Sequence, residues 1–323
     1  MCTAILLHTK DHYFGRNLDL EYHYNEQVVV CPRRFPLFFR RLPPLLSHHA
    51  MIGMATLSEG FPLFYDATNE HGVSIAGLHF PDWAQYFPYA PGKDNAAPFE
   101  LIPWILGQCE TMRDVRALLA RIHLLDEPFS KNYPLTPLHF MIAWQDECIV
   151  LESTPNGAAF YDNPAHVLTN SPPLDMQLWY LSRYQSLSPC QPDNAFAPDV
   201  PLPLTSGGMG ALGLPGDLSS PSRFVRAAYT LRHSQCKNSE EESVSQFFHI
   251  LSSVAHTRGS ALVDGKPEIT VYSSCCNADR GIYYYTTYGN SAITAVDMRR
   301  ENLDGETLAA YPLRENTPFY IQN

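Results

Sequence analysis

Cys2 is the residue best placed in this chain to do chemistry. It follows the initiator methionine and is small, so Met1 is expected to be excised. Excision would leave a free α-amino group on the residue that carries the thiol. An α-amine has a reference pKa of ~7.7–8.0, so part of it is unprotonated at neutral pH and can act as a base. A nucleophile and a base within one residue form the N-terminal-amine version of an activated nucleophile. Position alone is weak support, since a small second residue is usually of no importance. Three further groups add to it. Arg16 and Asp19 lie in Gly15-Arg16-Asn17-Leu18-Asp19, where a strand that should run beside the first one ends. A cation near the thiol favours thiolate, and the carboxylate can accept a hydrogen bond from the amine. Taken alone, such a pair is more often a surface ion pair. Asn170 closes an apolar run, His166-Val-Leu-Thr-Asn170, before Ser171-Pro172-Pro173. There its side-chain amide can face a cleft and donate to an oxyanion, although asparagine is as often a turn residue. Arg223 falls in the first turn of an expected helix, where a cation opposes the helix dipole. That placement suggests a task away from the helix.

The elements around these residues read as strands first. Ala4–His8, Tyr13–Arg16, Gln27–Cys31, Gly53–Leu57, Leu63–Ala67 and Val73–Phe80 are short apolar or alternating runs, the last two separated by a turn at Asn69–Gly72. Thr111 and Asp114 have capping-box spacing, and Met112, Val115, Leu118, Leu119 and Ile122 follow at helical intervals. Strands are expected again at Leu138–Trp144, Cys148–Ser153, Ala158–Tyr161 and His166–Leu168, and a helix at Asp175–Leu187. Ser188–Gly216 is rich in Pro and Gly and reads as a long loop. Helices over Pro221–His233 and Ser243–His256 precede strands at Glu268–Cys275, Gly281–Tyr288 and Ala292–Met298. Runs of strands alternating with runs of helices predict an α+β fold rather than a doubly wound parallel sheet. No linker or repeat divides the chain, so residues 1–323 are expected to form one domain.

Composition removes several alternatives. The 323 residues are 45% hydrophobic and 17% charged, with a net charge of −11. An acidic chain lacks the basic footprint of a nucleic-acid binder and is a poor ligand for anionic lipid. No apolar run approaches a membrane span, and the first ten residues lack the basic flank and cleavage site of a secretory signal. A cytoplasmic location is therefore expected. The eight cysteines include no CxxC and no zinc spacing, and the histidines form no HExxH pair, so no metal is expected. Gly208-Met-Gly210-Ala-Leu-Gly213 matches GxGxxG, but no strand precedes it and Leu-Pro-Gly follows in place of a helix. The dinucleotide reading fails on context, and no cofactor is expected.

Taken in order, these segments resemble the choloylglycine hydrolase family of bile salt hydrolases and penicillin V acylases. Met-Cys2-Thr resembles its nucleophile and Gly15-Arg16-Asn17-Leu18-Asp19 its GRNxD signature. Further likeness lies in Asn69–Gly72 with Ala76-Gly77-Leu78, in Leu168–Pro172, in Gly213–Asp217 through Ser222-Arg223-Phe224, in Gly281–Tyr288 and in Glu301–Asp304. The resemblance implies an N-terminal nucleophile hydrolase with a four-layer αββα sandwich, commonly a homotetramer. It implies that Cys2 attacks an amide, that its α-amine moves the proton, and that Arg16 and Asp19 hold thiol and amine. It further implies that Asn170 and the backbone N–H of His79 bind the oxyanion and that Arg223 orders the site. His79 departs from the family, whose bile salt hydrolases usually carry Asn there and whose penicillin V acylases often carry Tyr. The stretch Pro128–Leu138 resembles the loop that covers the steroid. Leu18, Tyr65, Phe129, Tyr133, Thr136 and Leu138 are the substrate-binding residues so implied, with Tyr65 narrowing the pocket. The expected reaction is deconjugation of glycine- or taurine-conjugated bile salts through a Cys2 thioester. The alternatives are acylase action on penicillin V or an acyl-homoserine lactone, and a non-catalytic relative that only binds amphiphiles.

Overall fold

Alternation along the strands divides the core in two. Val28 and Val30 are buried in one apolar cluster, Val29 and Cys31 in another. Ala76 and Leu78 part from Ile75 in the same way, and Met141 and Ala143 from Phe140 and Ile142. Successive side chains point to opposite faces, so a strand apolar at every position must be covered on both. The computed structural model, which describes residues 1–316 and 319–323, shows what covers them.

An eight-stranded sheet runs in the order Gly157–Asp162, Glu147–Thr154, Leu138–Trp144, Ser74–His79, Phe61–Asn69, Met51–Ser58, Gln27–Cys31 and Ala309–Pro312. A six-stranded sheet runs Val167–Leu168, Cys2–His8, His12–Leu20, Ile269–Asn277, Ile282–Thr287 and Asn290–Asp297. Neighbours within both are antiparallel. The first cluster joins the facing sides of the two sheets and continues to helices Ser220–Arg232 and Glu240–Ser252 on the far side of the six-stranded sheet. The second fills the space between the eight-stranded sheet and helices Leu101–Leu106 and Met112–Leu119. The layers are therefore α, β, β, α, as expected.

The strands Gln27–Cys31 and Leu138–Trp144 have the limits expected from their sequence. The capping box forms: Thr111 Oγ1 accepts from the Asp114 N–H at 3.4 Å, and Asp114 Oδ2 accepts from the Thr111 N–H at 3.0 Å. Helix limits differ by several residues in three places, one of them the helix expected at Ser243–His256, which runs Glu240–Ser252. The helix after Thr111 stops at Leu119, and Ile122 begins a short strand, Ile122–Leu124, parallel to Asp94–Ala96. The helix expected to reach Leu187 ends at Leu181 and tightens into a 3₁₀ turn over Ser182–Tyr184. Helix Leu101–Leu106 has all six residues buried, so no polar face marked its period. The edge strand Ala309–Pro312 was equally silent, being only four residues long.

Gly15 shows how tightly the six-stranded sheet is drawn around the signature segment. A Cβ there would lie 2.1 Å from the Ser274 carbonyl oxygen and 2.9 Å from the Cys275 Cα. Backbone cannot yield as a flexible side chain can, so Gly15→Ala is expected to cost roughly 1–3 kcal/mol. Urea unfolding of the variant checks this, and an unchanged midpoint would show that the strands can part.

Candidate active site

Cys2 opens the first strand, and strand pairing brings the rest to it. In the antiparallel register Cys2 faces Leu18 and Ala4 faces Arg16, so the second strand carries Arg16 and Asp19 past the chain start. Ile269–Asn277 flanks that strand on its other side and sets Thr270 opposite Asp19. Val167–Leu168 pairs with the first strand through Ala4 and Leu168, which delivers Asn170 two residues later. Arg223 comes from helix Ser220–Arg232 on the outer layer, and His79 ends a strand of the facing sheet.

The hydrogen bonds converge on residues 1 to 3. The Cys2 N–H donates to Asn170 Oδ1 at 2.8 Å. Arg223 Nη2 donates to the same oxygen at 2.6 Å, its Nη1 to Thr3 Oγ1 at 2.7 Å and to the Cys2 carbonyl, and its Nε to the Leu218 carbonyl at 2.9 Å. The apparent conflict with the helix dipole is thereby explained: Arg223 is fully buried and its guanidinium clamps the chain start. Burial lowers its pKa below the usual arginine value, opposed first by nearby Asp19. Asn170 Nδ2 donates to the His79 carbonyl at 2.7 Å. With two donors on its oxygen and a carbonyl on its nitrogen, the amide has only one consistent orientation.

Arg16 is also fully buried. Its Nη1 donates to the Gly77 carbonyl, and to the Tyr65 carbonyl at 3.3 Å. Its Nη2 has no hydrogen-bond partner among the described residues. Burial works against its charge, but the acidic groups gathered around it, Asp66 and Asp19 among them, outweigh this and raise its pKa. Behind it, Asp66 accepts from Tyr272 Oη at 2.7 Å, Tyr283 Oη at 2.7 Å and Ser274 Oγ at 3.1 Å. Asp19 Oδ1 accepts from Thr270 Oγ1 at 2.6 Å. On the His79 strand, the Phe80 N–H turns to the Pro137 carbonyl at 2.8 Å. Alternation then sends the His79 N–H to the opposite edge, where Arg16 and Asn170 take the Gly77 and His79 carbonyls.

A cavity of about 500 Å³ opens above Cys2, Arg16 and His79. Leu18, Tyr65, Phe129, Tyr133, Thr136 and Leu138 all line it, so every residue singled out for substrate binding reaches one space. Tyr65 is fixed there by a hydrogen bond of 2.8 Å between its hydroxyl and Thr56 Oγ1, and burial raises its pKa. Asp19, Asn170 and Arg223 are buried next to Cys2 and are not part of the lining. Burial, the terminal ammonium and His139 lower the His79 pKa.

Sequence reasoning missed part of the site. Leu20, Phe99, Ile102 and Phe140 extend the apolar wall, and Glu268 lines the cavity beside Met1. The Met1 amine donates to Glu268 Oε1 and to the Asp19 carbonyl. In the sequence Glu268 is the first residue of the expected strand Glu268–Cys275, and nothing local distinguishes it. Also unanticipated are two surface groups with metal-ligand atoms close together, His8 with His12 and Asp146, and His49 with His71 and Glu110. Neither lines the cavity.

The chain is similar along its whole length to known proteins. The chain is 50% identical over 324 residues to the bile salt hydrolase/transferase of Lactiplantibacillus plantarum, covering 100% of both chains. It is 38% identical to the bile salt hydrolase/transferase of Clostridium perfringens, covering 96% of each. The crystal structure of the mutant C2A conjugated bile acid hydrolase from Clostridium perfringens superposes with a TM-score of 0.94 at 36% identity over the whole of both chains. Penicillin V acylase from Agrobacterium tumefaciens shares the fold, with a TM-score of 0.75 at 16% identity over 96% of this chain and 90% of that one. Residues 2–311 match the model of the linear amide C–N hydrolases of the choloylglycine hydrolase type. This chain therefore belongs to the choloylglycine hydrolase family and is an amidase of linear amide C–N bonds.

Proposed function

We propose that the protein hydrolyses the amide bond of glycine- or taurine-conjugated bile salts. The observation that carries this is the cavity itself, where Cys2, Arg16 and His79 meet an apolar wall of Leu18, Phe129, Tyr133 and Leu138. One end suits a reacting amide and the other an apolar ring system. The names of the two bile salt hydrolase/transferase relatives support the same substrate.

In this mechanism Met1 is first removed. The Cys2 α-amine takes the thiol proton, and sulfur attacks the amide carbonyl. Asn170 Nδ2 has a second hydrogen beyond the one given to His79, and with the His79 N–H it holds the oxyanion. The C–N bond breaks, the departing amine carries off the proton, and a Cys2 thioester remains. Water, deprotonated by the α-amine, cleaves the thioester and restores the thiol. Arg16 favours the thiolate, Asp19 positions the amine, and Arg223 holds the Cys2 carbonyl and Asn170 in register. These steps need no cofactor.

The test is a panel of glycocholate, taurocholate, penicillin V and an acyl-homoserine lactone, run on protein whose N-terminus is established by intact mass. Turnover of the two bile salts is expected to exceed the others by at least tenfold. A preference for penicillin V would replace the substrate. Binding of bile salt with no turnover on any member would leave only the amphiphile-binding alternative. We further propose that residues 1–323 unfold as one domain, assemble as a homotetramer and reside in the cytoplasm. Among the described residues no helix is long and apolar enough to cross a membrane. Light scattering of the purified protein tests the assembly.

A further inference from the structure

A buried imidazole that the mechanism above does not use lies beneath the chain start. His256 follows helix Glu240–Ser252, and its side chain is 0% exposed, as is that of Asp19, while that of Glu268 is 1% exposed. His256 Nδ1 is 3.4 Å from Glu268 Oε2, and its Nε2 is 3.9 Å from Asp19 Oδ2. Each carboxylate uses its other oxygen elsewhere. Asp19 Oδ1 accepts from Thr270, and Glu268 Oε1 takes the Met1 amine. Both ring nitrogens and both inward oxygens have no closer hydrogen-bond partner among the described residues. The residue is tethered as well: the His256 backbone N–H donates to Thr270 Oγ1 at 2.8 Å, and that hydroxyl donates to Asp19.

We infer that His256 is a positioning residue for the Cys2 amine, bridging Asp19 and Glu268 as an imidazolium. The two inward carboxylate oxygens lie within ion-pair range of the two ring nitrogens, at 3.4 and 3.9 Å, and only the doubly protonated ring presents an N–H to both. A neutral ring would turn a lone pair toward one buried carboxylate and leave that charge uncompensated. The charged and titratable groups facing the trio are the Met1 amine, whose place the Cys2 amine borders after excision, Arg223, which acts on both Asp19 and Glu268, Arg16, which acts on Asp19, and His79, which acts on Glu268. Burial alone would push the Glu268 carboxyl up, yet His256 and the terminal ammonium hold it below the usual range. With the imidazolium in place, both carboxylates stay charged and fixed beside the amine, and the amine keeps one geometry. Loss of that proton frees them.

This inference rests on the amine acting as the base of Cys2, and its test separates the two. His256→Gln keeps one donor, and His256→Leu keeps none. Both are compared with wild type after intact mass has established Met1 removal and thermal unfolding has established folding. The kcat of His256→Gln is expected to fall about tenfold, the equivalent of one charge-assisted hydrogen bond, with KM within twofold. His256→Leu should fall further. The rate of Cys2 alkylation by iodoacetamide, which needs no amide substrate, should lose one ionisation from its pH profile in both variants. If neither variant folds, Glu268→Gln replaces them: it removes one acceptor, so the same ionisation should move to lower pH. Ring-nitrogen NMR of histidine-labelled wild type should show both His256 nitrogens protonated at neutral pH. A neutral ring, or variants with the wild-type alkylation profile and kcat, would overturn the inference. A shifted alkylation profile in an enzyme that turns over no bile salt would sink the substrate reading and leave this one standing.

Discussion

Protein carrying an uncleavable residue ahead of Cys2 is expected to lose at least about a thousandfold in turnover, within the range for removal of a general base. The cause is covalent. With Met1 attached, the Cys2 nitrogen is an amide N–H that donates to Asn170 Oδ1 and has no basic lone pair to take the thiol proton. Met1 also lines the cavity and ties its own amine to Glu268 and the Asp19 carbonyl, so retention narrows the space above the thiol. The measurement is kcat on taurocholate for extended and processed protein, each verified by intact mass. An extended enzyme within tenfold of the processed one would mean that another group serves as base, and the N-terminal mechanism would fall.

Asn170→Ala should lower kcat by roughly 10²–10³, as loss of one oxyanion donor does, with little change in KM. The residue holds three partners at once: the Cys2 nitrogen, Arg223 and the His79 carbonyl. Alanine removes the oxyanion donor and the acceptor that orients the amine. It also leaves Arg223 Nη2 without that partner in a fully buried position. Asn170→Asp separates these effects. It keeps an acceptor for Cys2 and Arg223 but turns a carboxylate oxygen toward the His79 carbonyl, so the donor is lost and repulsion replaces it. Its kcat should be no better than that of Asn170→Ala. An aspartate variant near wild-type activity would remove Asn170 from the oxyanion role and leave it only as an anchor for the amine.

How much of this could be read in the residues themselves depends on the range of the interaction that places each one. Cys2 and its amine share one residue, so their partnership is independent of the fold. Arg16 and Asp19 are only a short hairpin away, and the runs Ala4–His8 and Tyr13–Arg16, read as neighbouring strands, were enough to bring them near. Elements with a clear period or cap, such as Thr111 and Asp114 before their helix, were also visible. The buried helix Leu101–Leu106 was not, because a helix apolar on every side has no stripe.

Other features were decided by how the layers stack. Glu268 and His256 carry no local mark, and each looks like an ordinary residue beside an apolar run. They meet Asp19 only because Ile269–Asn277 pairs with the His12–Leu20 strand. Arg223 looked misplaced on its helix until the helix was packed on the first strand. Phe99, Ile102 and Phe140 pack in the core around the eight-stranded sheet, and only the folded arrangement leaves them lining the cavity as well. Chemical identity and short-range order are written along the chain. Which polar group is buried against which, and which apolar face is left open to a ligand, follows from contacts hundreds of residues apart and exists only once the sheets have closed on each other.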